Sequence, residues 1–308
     1  MKAAKSQWAG VYPAVTTQFK ADESLDIAGT QKQVDQLIVD GVHGLIMLGT
    51  VGENCSLDAS EKRKVMAAAK ETAAGRVPVL SGVAECSTAM ACAYARDMEK
   101  IGIDGLMVLP AMVYKARPHE VMNHFRQVAR ASALPIMIYN NPVSYTIDVK
   151  PEMFAELAAE KTLVAIKEST ENVRRLTDIA NACGDRYVMF CGVDDLIVES
   201  VMLGCTGWVS GLVDAFPRES LVMFDLAKRG RYEEAKEIYR WFMPALHLDC
   251  ETTLVQCIKL AQAMTGRGSE HVRAPRLPLQ GEERSRVVKV LEKAIAARPS
   301  LERFKKAA

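Results

Sequence analysis

A chain of 308 residues is long enough for one barrel of about 250 residues or for two smaller domains. Apolar residues make up 49% and charged residues 25%, the balance of an ordinary globular chain. Basic and acidic residues cancel to a net charge of +1, so bulk charge offers no attraction to nucleic acid or to an anionic membrane.

Residues 1–8 carry no apolar run, which argues against a signal peptide or an anchor. No later apolar stretch reaches the ~18 residues of a membrane span, and a cytoplasmic protein is expected. Short apolar runs then recur along the chain. They predict strands over 11–16, 44–48, 77–81, 105–109, 136–139, 163–167, 187–191 and 208–210. The runs are apolar throughout rather than alternating, as in strands buried on both faces of a parallel sheet. Between them the apolar period becomes helical. Helices are predicted over 26–39, 58–74, 87–100, 118–131, 151–159, 170–182 and 194–203. The first carries Ile27, Val34, Leu37 and Ile38 on one side, and the second opens on Asp58 with Glu61 three residues on, an N-cap signature. Gly41, Gly75, Gly102, Gly184 and Gly204 stand where these helices should stop.

Eight strand–helix units point to an α/β fold, a closed (β/α)8 TIM barrel over residues 1–217. A doubly wound open sheet is the rival architecture. After Pro217 the strands end, and helices are predicted over 218–228, 232–246, 251–264 and 281–296, a C-terminal helical appendage over residues 218–308. The eight cysteines include no C-x-x-C pair, and most sit in apolar runs. Buried free thiols in a reducing compartment are therefore expected rather than zinc or a disulfide framework. His119 and His124 are five apart and share no helix face, so no metal site is expected.

In a barrel of this kind chemistry sits at the C-terminal ends of the strands, so polar residues that end apolar runs are the candidates. The second run leads into Gly49-Thr50-Val51-Gly52-Glu53-Asn54. Its glycines allow a tight turn with amide groups turned toward an anion, though a common Gly-rich turn reads the same way. The fifth ends in Tyr139-Asn140-Asn141-Pro142, where a phenol at the barrel mouth either passes protons or only reaches water. The sixth ends in Ile166-Lys167-Glu168, the sharpest feature of the chain. Burial disfavours an ammonium, and a neutral amine attacks carbonyl carbon; a lysine that reaches solvent or pairs with Glu168 is the plain alternative. The seventh ends in Cys191-Gly192-Val193-Asp194-Asp195 and the eighth in Ser210-Gly211. Small residues there leave room for substrate, and the two aspartates bind hydroxyls or cap the next helix.

In this order and at these intervals, the runs from Gly49, Tyr139 and Ile166 resemble the dihydrodipicolinate synthase / N-acetylneuraminate lyase family. So do the opening Gly10-Val11-Tyr12-Pro13-Ala14-Val15-Thr16-Thr17 and the late Val272-Arg273-Ala274-Pro275-Arg276-Leu277-Pro278-Leu279. The resemblance runs from about Trp8 to the end of the chain. It implies a Schiff-base lysine at Lys167, a proton relay at Tyr139, and Thr50 holding the Tyr139 hydroxyl. It also implies a carboxylate site at the Thr50 and Val51 amides, with Gly192 and Ser210 meeting the rest of the substrate. No metal or organic cofactor is implied, the substrate is a small 2-oxo acid or its cyclic imine, and the assembly is a homotetramer.

Departures from the family pattern narrow the substrate. Val51 replaces a second threonine found in many members. The turn continues Val143-Ser144-Tyr145-Thr146 without the arginine that, in the synthases, receives a dicarboxylate-like substrate. The segment Pro110-Ala111-Met112-Val113-Tyr114-Lys115 is longer than the one that carries a tyrosine pair in the synthases, and Val193 makes the seventh loop less polar than in sialic-acid lyases. The pattern most resembles the 1-pyrroline-4-hydroxy-2-carboxylate deaminases of hydroxyproline degradation, which yield 2,5-dioxopentanoate and ammonia. A 2-oxo-3-deoxy sugar-acid dehydratase or aldolase, dihydrodipicolinate synthase itself and a non-catalytic binding member are the alternatives.

Overall fold

The computed structural model describes residues 8–111 and 114–305. Eight strands form one sheet: β1 Gly10–Pro13, β2 Leu45–Met47, β3 Val79–Val83, β4 Gly105–Val108, β5 Ile136–Asn140, β6 Leu163–Glu168, β7 Val188–Cys191 and β8 Gly207–Ser210. Every ladder is parallel and joins neighbours in sequence, except that β1 pairs with β8. An Ala14–Ile46 bridge and a Val15 N–H to Ile46 carbonyl bond of 2.9 Å draw β1 to β2. The sheet therefore curls into a (β/α)8 barrel rather than lying open. Its strands are almost wholly buried, which is why they read as continuous apolar runs. Side chains fill the interior, with Tyr12 and Phe190 meeting edge to face at 5.3 Å.

The helices form where local chemistry asks for them. Asp26 Oδ1 accepts the Gly29 N–H at 2.8 Å to start helix Ile27–Asp40, and Gly41, at φ 101°, ends it in a left-handed turn. Asp58 and Glu61 make the reciprocal cap of helix Ala59–Ala73.

Several boundaries move for physical reasons. The first strand stops at Pro13 because Thr16 turns its N–H to the Asp214 carboxylate, 3.1 Å away. The helix expected from 170 begins at Arg174: Glu168 takes the Thr170 N–H at 2.9 Å and Glu171 is left-handed. The helix expected over 194–203 splits into a 3-10 turn, Asp194–Leu196, and a helix, Ile197–Met202, because Asp194 is tied to Trp208 and Ser210 of β8. The helix expected from 251 starts at Leu254.

Helix Pro217–Lys228, expected as the first part of the appendage, packs on β1 and on helix Ile27–Asp40 and completes the outer ring. The appendage proper is made of helices Tyr232–Leu246, Leu254–Met264 and Gly281–Ala296. Phe216 anchors it by edge contacts to Trp241 and Phe242 at 5.9 and 5.2 Å. Among the described residues no helix is long and apolar enough to cross a membrane.

The cysteines depart from expectation. All eight are free, but only Cys191, Cys205 and Cys257 are buried, while Cys55, Cys86 and Cys250 are exposed, the first and last within 3-10 turns.

Candidate active site

Side chains alternate along a strand, so of the pair that ends β6 only one points into the barrel. Lys167 does, and Glu168 points the other way, where its carboxylate accepts from Asn140 Nδ2 at 3.1 Å and from the Thr170 N–H. Burial pushes the Glu168 carboxyl up. Lys167 therefore does not pair with Glu168, and at 7% exposure it does not simply reach solvent. Among the described residues no carboxylate lies within ion-pair distance of its Nζ. The register of β5 on β6 sets Tyr139 beside it, with Nζ 4.0 Å from the ring centroid. Gly192, at the end of β7, makes the position tenable. A Cβ there would overlap the Ser169 hydroxyl and stand 2.6 Å from Lys167 Cε.

These side chains line a cavity of about 350 Å³ at the C-terminal mouth of the barrel, together with Thr50, Val51 and Gly211. Thr50 and Val51 lie on its floor. Among the described residues neither of their N–H groups finds an acceptor, so both remain available to an anion.

The Thr50 hydroxyl does not hold Tyr139, as the resemblance implies. It bonds Tyr145, from the short helix Pro142–Tyr145 that Asn141 caps. The Tyr145 ring crosses that of Tyr139 edge to face at 5.8 Å, and Tyr139 accepts from Asn141 Nδ2 at 3.1 Å. Burial, then the neighbouring Tyr139, pushes the Tyr145 phenol well up. The result is a row of hydroxyl-bearing side chains, Thr50, Tyr145 and Tyr139, ending beside Lys167. Tyr145 was not legible as a site residue, because only the fold of the turn after Pro142 returns it to the pocket.

Ser210, expected to meet substrate, is committed elsewhere. Its hydroxyl donates to Asp194 Oδ2 at 2.7 Å and accepts from the Val213 N–H at 3.3 Å, and the wall at the end of β8 is Val209 and Gly211 instead. Asp194 also accepts from Trp208 Nε1 at 3.0 Å and the Leu212 N–H at 3.3 Å, so it neither caps the following turn nor faces the cavity. Burial pushes its carboxyl from the usual value up to about 6. Asp195 holds His247 Nδ1 at 2.8 Å. Tyr114 is largely exposed and outside the cavity.

The appendage also reaches the site, through the turn between its first two long helices. Asp249, Cys250, Glu251 and Thr252 close one side of the cavity. Glu53, just behind the Thr50–Val51 floor, is fully buried and makes a 2.5 Å ion pair with Lys259 of helix Leu254–Met264; the Arg273 N–H donates to its other oxygen at 3.1 Å. It is thus a brace for the loop rather than a ligand or a helix cap. Burial, partly offset by Glu53, pushes the Lys259 ammonium down.

Comparison with known proteins agrees with this architecture. The model of the dihydrodipicolinate synthetase family matches residues 7–294. A 4-hydroxy-tetrahydrodipicolinate synthase of Methanococcus maripaludis (strain C6) is 33% identical over 267 residues, covering 86% of this chain and 91% of that protein. The structure of the 4-hydroxy-tetrahydrodipicolinate synthase of Methylacidiphilum fumariolicum SolV superposes with a TM-score of 0.91 at 25% identity, covering 97% and 99% of the two chains. A prophage protein of the same family from E. coli K12, solved in complex with pyruvate, gives 0.89 at 27% identity over 94% and 99%. The relatives named here as enzymes are synthases, and none of the three carries the deaminase name. The chain belongs to the dihydrodipicolinate synthase family of class I aldolase-type lyases.

Proposed function

We propose that Lys167 forms a Schiff base with C2 of a small 2-oxo acid, or of its cyclic imine, and that the row of Thr50, Tyr145 and Tyr139 moves protons to and from the adjacent carbon. The observation that carries this reading is the isolated, buried Lys167 Nζ over the Tyr139 ring in a cavity floored by unengaged amides. With no carboxylate holding it, the Lys167 Nζ is free to meet the carbonyl carbon that a lysine nucleophile attacks. The amides of Thr50 and Val51 receive the substrate carboxylate. Once the iminium forms, C2 is an electron sink, and Tyr139 takes the C3 proton.

Two finer readings follow. The names of the relatives favour the synthase reaction, in which pyruvate condenses with a second carbonyl compound to give 4-hydroxy-tetrahydrodipicolinate. The lining of the cavity favours a substrate with one carboxylate. It includes Val143 and Ser144 after the turn, no arginine, and the acids Glu171, Asp249 and Glu251. Apart from Lys167, this lining offers, among the described residues, no cation to receive a second carboxylate. That chemistry supports the deaminase reading, in which Lys167 opens 4-hydroxy-1-pyrroline-2-carboxylate, water leaves from C3–C4, and hydrolysis releases ammonia and 2,5-dioxopentanoate.

Purified protein should be given each substrate set in turn. We expect ammonia from the pyrroline, abolished in Lys167→Ala. Formation of 4-hydroxy-tetrahydrodipicolinate from pyruvate and a four-carbon amino-acid semialdehyde, without ammonia from the pyrroline, would assign the synthase reading instead.

A further inference from the structure

Either finer reaction demands a proton at an atom that Tyr139 does not obviously serve. In the condensation, the C3 enamine carbon attacks an aldehyde; a C3–C4 bond forms, and the carbonyl electron pair moves to oxygen, which takes a proton to become the C4 hydroxyl. In the dehydration, the enamine pair forms the C3–C4 double bond, the C4–O bond breaks, and the departing oxygen takes a proton to leave as water. Both need an acid at the C4 oxygen.

Three acids line the cavity. Glu171 is exposed to solvent, and Glu251 is gripped by the Arg286 guanidinium at 2.8 and 2.5 Å. Asp249 differs from both. Its Oδ1 has no contact with solvent and, among the described residues, no hydrogen-bond partner. It sits over the end of β8, so close that a Cβ on Gly211 would fall 2.6 Å from it. It is held there rather than loosely placed. The 3-10 turn His247–Cys250 extends helix Tyr232–Leu246, Leu248 is buried in the core, and His247 is tied to Asp195. Asp249 as a whole is half-buried, and a carboxyl oxygen withdrawn from water without a partner favours the protonated form. Burial, then the Asp194 carboxylate, pushes the Asp249 carboxyl well up, with Lys167 opposing. A carboxylic acid kept neutral in an apolar site is a proton donor at ordinary pH.

We propose that Asp249 is the acid that protonates the oxygen on C4 of the substrate, dividing the proton work with Tyr139, which serves C3. The inference rests on the Schiff-base reading but on neither of its two finer forms. It also states what the substrate must carry: a hydroxyl, or a carbonyl that becomes one, two carbons from the iminium.

The test separates C3 from C4. Exchange of the pyruvate methyl protons with deuterium oxide needs the Schiff base and the C3 base but no C4 oxygen. In Asp249→Asn, exchange should stay within about threefold of the wild type. Turnover of whichever wild-type substrate proves active, the pyrroline or the condensation pair, should fall at least about a hundredfold, in the range for loss of a general acid. Asp249→Glu should recover part of it. Full turnover in Asp249→Asn, or an equal loss of exchange and turnover, would overturn the assignment while leaving the Schiff base standing. A wild type that exchanges pyruvate protons yet turns over neither substrate would remove the finer readings and the C4 step together. A wild type that shows no exchange would remove the Schiff-base reading itself.

Discussion

Lys167 and Gly192 are neighbours at the ends of the adjacent strands β6 and β7, and the absence of a side chain on one gives the other its position. Adding a methyl group at 192 would displace Lys167 Cε from its place beside Tyr139's ring and crowd the Ser169 hydroxyl. Overpacking of this kind costs about 1–3 kcal/mol of stability, but displacement of a reacting atom by ~1 Å costs on the order of a hundredfold in rate. Gly192→Ala should therefore slow borohydride trapping of pyruvate by at least tenfold while lowering the melting temperature by only a few degrees; an unchanged trapping rate would show that Gly192 does not set the lysine position. At this scale the sequence was partly legible. Lys167 and Tyr139 announced themselves as polar residues ending apolar runs. Ser210 ended a run in the same way yet belongs to the Asp194 network, because a one-dimensional pattern does not say which neighbour a hydroxyl will find. Asp249 and Tyr145 lay beyond that logic, since neither ends a strand.

Between residues and the whole lie the loops and turns that carry the site. The Gly49–Asn54 loop presents its amides because Glu53, held in a left-handed conformation, is anchored from behind by Lys259, whose ammonium also donates to the His271 carbonyl at 2.6 Å and lies 4.5 Å from the Phe19 ring centroid. Neither charge has solvent contact. Removing one partner of such a pair costs about 3–5 kcal/mol, whereas removing both costs much less; Arg276, 3.9 Å from the other Glu53 oxygen, sets the Lys259 case toward the lower end. Lys259→Met should thus lower unfolding stability by that amount in urea titration, and Glu53→Gln combined with Lys259→Met should restore much of it. A single variant within about 0.5 kcal/mol of the wild type would contradict the brace. From sequence, Glu53 was open to three roles; its partner lies some two hundred residues away, and nothing local in the sequence marks the pairing. The turn between the appendage helices was equally opaque. Its polar run Glu251-Thr252-Thr253 reads as the first turn of the helix expected from 251, and only the packing of Leu248 and the His247–Asp195 contact bring it over the cavity.

At the scale of the molecule, the alternation of buried strands and amphipathic helices was enough to foresee a closed barrel, because strands buried on both faces leave an apolar signature that loops do not blur. The limit of the barrel was less visible. Helix Pro217–Lys228 has the same apolar face whether it closes the ring or begins an appendage, and contact with β1 decides between them. The assembled account is that the barrel delivers Lys167 to a cavity whose floor binds a carboxylate and whose far wall comes from the C-terminal helices. Its central claim is the covalent step at Lys167. The protein should be incubated with pyruvate, reduced with borohydride and digested, and the adduct mapped by mass spectrometry. We predict a single added carboxyethyl group on the peptide containing Lys167, absent from Lys167→Ala, which should keep its fold by circular dichroism. An unmodified chain, or an adduct on another lysine that survives the substitution, would contradict the account.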